Sequence, residues 1–194
     1  MGETDRIGTG IRFYTAQAQP VLEALARDGV CYSKAEFVRR KYEESADIFL
    51  TAYSWYAEEA ETYVKKPVGA AFPYWAFADP RSVDGSGGGT FLSLCVPKDE
   101  VLLFDAKDWN KILCLSYIGE TAAKEQAFAE ELKARGLDTN KVMLTAFYPE
   151  WKAAIMDSWK RLFRHHKALL LGDTSGVSSV QAGLWRICAE WVIK

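Results

Sequence analysis

Near its start the chain crowds four polar side chains into IRFYTAQ: Arg12, Tyr14, Thr15 and Gln17. A first strand and its turn need fewer. Strand alternation puts Arg12 and Tyr14 on one face and Phe13 and Thr15 on the other. Two accounts stay open: Arg12 pairs with an acid while Thr15 bonds the next turn, or the set belongs to a ligand cleft. Near the other end, in SVQAGLWRICAEWVIK, one uncharged amide, Gln181, sits among small and apolar residues close to Trp185. It either reads a ligand or is satisfied by backbone groups at the rim of a core.

The remaining chemistry-bearing patterns fail on context. The glycines of SVDGSGGGTF run into an apparent strand, TFLSLCV, instead of opening a helix, and no Lys followed by Ser or Thr comes after them. That excludes both a dinucleotide fingerprint and a phosphate loop and leaves a surface connection between strands. LLLGDTSG lacks the Asp-Thr-Gly order of an aspartic protease and the G-x-S-x-G order of a nucleophile elbow. His165 and His166 are adjacent, so on a helix they point about 100° apart and cannot share one metal ion. His166 continues the stripe of Trp159 and Leu162 and reads as a helix-end residue packed on the core, with catalytic general base as the other role open to it. Cys31, Cys95, Cys114 and Cys188 are far apart and form no C-x-x-C pair, which predicts buried thiols in a reducing compartment and no metal.

A net charge of -2 argues against a broad basic footprint for duplex nucleic acid. MGETDRIGTG has no apolar signal core, and no apolar run approaches the ~20 residues that cross a bilayer. A cytoplasmic protein with no membrane partner is expected. Aromatic residues make up 13% of the chain, more than a minimal core needs. Either they fill a core of large rings or some of them line a cleft for a planar ligand such as a nucleobase or nicotinamide.

The elements that must position these groups are legible in outline. IRFYT is a strand. Pro20 suits the first turn of the next helix, which stacks Val21, Leu22 and Leu25 and stops at Gly29. SKAEFVRRKYEE carries the Ser33 and Glu36 spacing of a capping box and predicts a helix. ADIFLTAYSWYAEEAETYV repeats apolar positions at helical spacing. FPYWAFAD, TFLSLCVP and VLLFD read as strands, and Asp105 is placed to cap the helix AKDWNKILCLSY. TAAKEQAFAEELKARG is a surface helix, VMLTAFYP a short strand, Trp151 to Lys167 one amphipathic helix with a basic face, and SVQAGLWRICAEWVI a closing strand. The division expected is a flexible stretch over residues 1–10 and a single α+β domain over 11–194. Its sheet is small and mainly antiparallel, with the N- and C-terminal strands near the centre and helices packed outside.

RFYTAQ, FPYWAF, FLSLCVPKDEVLLFDAKDWNKIL, MDSWKRLF and VQAGLWRI, in that order, resemble the bacterial DUF3841 family over most of the chain. That family brings no established activity. A further likeness, to the ADP-ribosyltransferase-like architecture, lies in the first strand with its Tyr-Thr, the middle V-P-x-x-x-V-L and the polar residue on the last strand. It implies a domain that binds or splits NAD, without a metal. Arg12 and Gln181 would then stand at the reacting centre, Thr15 and Gln17 would hold the cofactor, and Tyr53 or Trp75 would stack on it. Gln181 stands where that architecture expects a glutamate, and Glu190 is the nearest acid. A neutral amide orients a hydroxyl but does not offset a developing cation. The other expectation is a non-enzymatic module that binds a protein or nucleic-acid partner through aromatic stripes and the basic helix face.

Overall fold

The computed structural model describes residues 10–34 and 46–193. The predicted SKAEFVRRKYEE helix falls mostly outside them, as do residues 1–9. Strand β1 (Gly10–Gln17) leads through Ala18 into helix α1 (Gln19–Asp28), where Pro20 occupies the first turn. Gly29 ends that helix at φ 73°, its N–H donating to the Leu25 carbonyl, a conformation glycine adopts without cost. β2 (Val30–Tyr32), α2 (Ala46–Ala60), β3 (Tyr74–Phe77), β4 (Thr90–Pro97) and β5 (Val101–Asp105) follow. Next come α3 (Ala106–Leu113), α4 (Ala122–Ala134), α5 (Thr139–Met143), α6 (Pro149–Trp159), α7 (His166–Leu170), β6 (Val180–Leu184) and β7 (Arg186–Cys188).

Five strands form one sheet in the order β4-β1-β3-β6-β5, every neighbouring pair antiparallel, while β2 and β7 make a separate ribbon. This is the α+β arrangement expected. β1 and β6 flank the central β3, so the first and last strands of the sheet lie near its middle but are not side by side. β3 is bonded unequally to its two neighbours. It pairs with β6 at four positions but with β1 at Tyr14↔Phe77 alone. The Thr15 hydroxyl donates to the Trp75 carbonyl at 2.9 Å and supplies across that join a bond the ladder lacks.

Period-2 alternation sorts the strand residues onto two faces with a core on each. Phe13, Leu94, Val96, Ala76, Ala182 and Leu103 point to one face, where they meet Leu25 of α1, Leu169 of α7 and Trp191. Trp75, Leu102 and Phe104 point to the other, against Tyr53 and Tyr56 of α2, Trp109 of α3 and Phe163. The aromatic surplus is mostly here: Tyr56 meets Trp75, Phe104, Trp109 and Phe163 edge-on at centroid distances of 5.0 to 5.7 Å.

Both edges of the sheet are engaged, which removes a template for unwanted strand pairing. Val192 bridges to Leu94 and the Ile193 N–H donates to the Ser93 carbonyl beside β4. At β5, the Leu103 N–H donates to His166 Nδ1 at 3.1 Å. His166 is therefore a neutral edge cap and no general base. Burial, with the Lys167 charge second, holds its imidazole below the ordinary pKa. Because the folded value is the depressed one, its contribution is complete above about pH 6.5, the unfolded value, and declines as the pH falls below it. The melting temperature should drop between pH 7 and 5, and the drop should shrink in His166→Gln, whose amide oxygen accepts without titrating. An equal drop in both proteins counts against this role.

Several segments depart from expectation. VMLTAFYP is not a strand: Asp138 accepts from the Lys141 N–H at 2.8 Å and starts the short helix α5, which buries Val142 and Met143 side by side. The basic helix is broken into α6, a 3-10 turn at Lys160–Phe163 and α7, which swings Phe163 into one core and Leu169 into the other. The final segment leaves the main sheet at Trp185, whose indole N–H donates to the Val64 carbonyl at 2.8 Å, and Arg186–Cys188 pair with β2 instead. Of the four thiols only Cys188 is buried; Cys114, at the end of α3, is exposed.

Candidate functional site

On the face that carries Trp75, the sheet is covered unevenly. At β6 and β5 the residues directed to it, Gln181, Gly183, Leu102 and Phe104, are buried. At β1 and β4 the residues directed to it, among them Arg12, Tyr14, Phe91, Ser93 and Cys95, are exposed or half-buried, while the alternate Phe13, Thr15, Leu92, Leu94 and Val96 are buried. Among the described residues the helical layer thus stops near β3 and leaves a ledge over β1 and β4. One cross-strand row spans the whole sheet: Phe104, Gln181, Phe77, Tyr14 and Ser93 stand opposite one another in register.

The ledge has the chemistry of a stacking surface. Tyr14 and Phe91, diagonal neighbours on β1 and β4, stack at 5.7 Å with 28° between their planes, and Phe91 is 51% exposed. Arg12, two residues from Tyr14 on the same face and opposite Cys95, is exposed and has no ion pair among the described residues. None of the strand residues directed to this face is acidic. Where β3 stops and β6 starts, a hollow of about 490 Å³ is lined by Asp79, Arg81, Thr174, Ser178 and Ser179. Arg81 and Asp79 pair there at 2.7 Å, and the hydrogen bond from Arg81 holds the Asp79 carboxyl below its ordinary pKa.

The residues expected to converge divide between places. Arg12 and Gln181 share a face with β3 between their strands, which sets the two backbones about 10 Å apart at ordinary strand spacing. Thr15 and Gln17 belong to the opposite face; Gln17 Nε2 donates to Thr15 Oγ1 at 2.7 Å, so these two satisfy each other and the Trp75 carbonyl. Trp75 donates its indole N–H to the Tyr53 hydroxyl at 2.9 Å, and Tyr53 is buried, so both rings are members of the core. Glu190 lies exposed in the 3-10 turn after β7. Phe77, Phe91 and Ser93 were not singled out in advance. Their signal was present in TFLSLCV, whose alternation commits Leu92, Leu94 and Val96 to a core and so turns Phe91 and Ser93 away from it.

The expected basic face of the Trp151–Lys167 stretch is largely neutralised. Lys160 pairs with Asp157 at 2.9 Å, Arg161 with Glu120 at 3.6 Å and Arg164 with the buried Asp108 at 2.9 Å. A groove of about 520 Å³ between α2, α5 and α6 is floored by Leu50, Trp55, Met143 and Met156. Among the described residues no cluster of three or more His, Cys, Asp or Glu side chains is placed to hold a metal ion, and no helix is long and apolar enough to cross a membrane.

Compared with known families, residues 12–193 match the model described as a domain of unknown function, DUF3841. No curated protein and no solved structure matches the chain.

Proposed function

The chain belongs to the DUF3841 family, a membership that brings no reaction with it, and from the uncovered half of its sheet we propose that it is a nucleotide-binding domain. The observation that carries this reading is the stacked Tyr14–Phe91 pair beside Arg12, which has no ion pair among the described residues, on a face whose strand residues include no acid. Exposed rings on neighbouring strands take a planar base, and a free guanidinium takes the phosphate attached to it.

Binding is supported further than transfer. Cleavage of the nicotinamide bond needs a carboxylate close to the developing cation, and Gln181 is neutral while Glu190 lies elsewhere. NAD is therefore a ligand in this reading, and ADP-ribosyl transfer has no residue assigned to it. A protein partner at the α2–α5–α6 groove carries less weight, because the charged groups lining it, Asp47, Glu58 and Lys152, are of both signs and select no one occupant.

Calorimetric titration with AMP, ADP-ribose, NAD and a short single-stranded oligonucleotide tests the proposal. At least one mononucleotide should bind, and Tyr14→Ala and Phe91→Ala should each weaken it about tenfold, since stacking contributes about 1–3 kcal/mol per base. Arg12→Ala should weaken AMP but leave adenosine unchanged. If the oligonucleotide alone binds, the ligand is a nucleic-acid strand. If nothing binds, or if Phe91→Ala changes nothing, the ledge is not a site.

A further inference from the structure

Six polar or charged side chains are buried among the described residues, and five of them are spoken for. Thr15 donates to the Trp75 carbonyl, Asp105 accepts from Ser178, Asp108 accepts from Arg164, Ser158 accepts from the Ile118 N–H and His166 accepts from the Leu103 N–H. The sixth is Gln181. It is 4% exposed, yet its amide has no hydrogen-bond partner among the described residues. A buried amide without partners is costly and rare in folded proteins. Nor is it sealed away: among the described residues the enclosed side-chain atoms without partners are Tyr56 Oη and Arg186 Nε, and the Gln181 amide is not among them. What accessibility Gln181 keeps therefore includes its polar tip.

Its position gives that tip a use. Gln181 stands directly opposite Phe77, and Phe77 directly opposite Tyr14. Adjacent strands lie about 4.8 Å apart, so a purine stacked on Tyr14, whose ring Phe91 supports from the β4 side, extends over Phe77 and presents one edge to Gln181. Resting on the nucleotide-binding reading above, we infer that Gln181 is the specificity-determining residue of the ledge and selects an adenine base. A primary amide offers one donor and one acceptor side by side. Adenine matches it with the N7 acceptor beside the N6 donor, whereas guanine and hypoxanthine offer two acceptors along the same edge and leave the Gln181 oxygen unpaired. Arg12, farther along the same face, then lies on the phosphate side of the ligand.

The wild-type protein tests this without any substitution. AMP should bind about tenfold more tightly than inosine monophosphate, which replaces N6 by a carbonyl, and than 7-deaza-AMP, which lacks the N7 acceptor. Gln181→Leu should abolish the preference and bind all three alike. It exchanges an unpaired amide for an apolar group, so it should melt no lower than wild type; Gln181→Glu, with two acceptors, should also lose the preference for the N7-bearing base. If AMP binds and Tyr14→Ala weakens it, but the AMP-to-inosine ratio is the same in wild type and Gln181→Leu, the assignment of Gln181 is overturned and the ledge stands. If wild type binds none of the three while another mononucleotide binds in a Tyr14-dependent way, adenine is the wrong base and the assignment fails again. Absence of any Tyr14-dependent ligand removes the ledge and the inference together.

Discussion

Gly183→Ala should cost about 3 kcal/mol of folding stability, the upper part of the range for an overpacked core. Gly183 sits on β6 beneath Tyr56, and a Cβ built on it falls inside contact distance of the phenol oxygen and 2.8 Å from Cζ. Tyr56 cannot step aside, because Trp75, Phe104, Trp109 and Phe163 surround its ring and it is 1% exposed. Nor does anything hold the hydroxyl in place, since Tyr56 Oη is a buried atom without a partner and burial pushes its pKa well up. Tyr56→Phe alone should therefore be neutral or slightly stabilising. In the double variant it should recover part of the alanine's cost, because the oxygen contact disappears and the Cζ contact remains. Urea denaturation of the four proteins measures this coupling. Strict additivity would show that the two residues do not meet as described.

Asp105→Ala should cost a comparable amount, about 3 kcal/mol, from one helix cap and several hydrogen bonds to a charged acceptor. The carboxylate is 7% exposed and joins three segments. It ends β5, caps α3 by accepting from the Lys107 N–H at 3.1 Å, and accepts from the Ser178 hydroxyl at 2.7 Å and from the Ser178 and Ser179 N–H groups where the chain enters β6. Burial pushes its carboxyl up, and the bonds from Ser178, Lys107 and Ser179 together outweigh that and hold it below the ordinary range. With the folded value depressed, the contribution is complete above about pH 4 and is lost as the pH falls through the folded value. Asn, itself a good cap, should cost less than Ala at pH 7. The difference between wild type and Asp105→Asn should narrow below pH 4 in thermal melts, and a constant difference would mean that charge is not what matters here.

The local rules carried most of the architecture. Pro20 and Gly29 bounded α1, Asp105 capped α3, and the strands FPYWAFAD, TFLSLCVP and VLLFD fell where alternation and turn residues put them. What they did not carry was pairing. Whether β1 and β6 touch depends on β3 inserting between them, and nothing within either strand encodes a neighbour about sixty residues away from the one and about a hundred from the other. Face assignment was legible within β1, where Thr15 was set apart from Arg12, but the consequence was not: a polar residue on the far face cannot join a cleft on the near one. The ADP-ribosyltransferase-like resemblance implied Tyr53 or Trp75 as stacking partners, and a resemblance in strand motifs does not distinguish a ring that lines a cleft from a ring that fills a core. Gln181 kept both of its readings open until its lack of partners could be seen, which is a property of its surroundings and not of its type.

Among the described residues β1 and β3 are directly paired at one position, and a threonine hydroxyl adds a bond across the join. The sheet is in effect two panels meeting at a seam, with β4 and β1 on one side and β3, β6 and β5 on the other. Tyr14 and Phe77 face each other across it, so a ring laid over both would act as a clasp, and occupancy would be felt as stiffness along the whole joint.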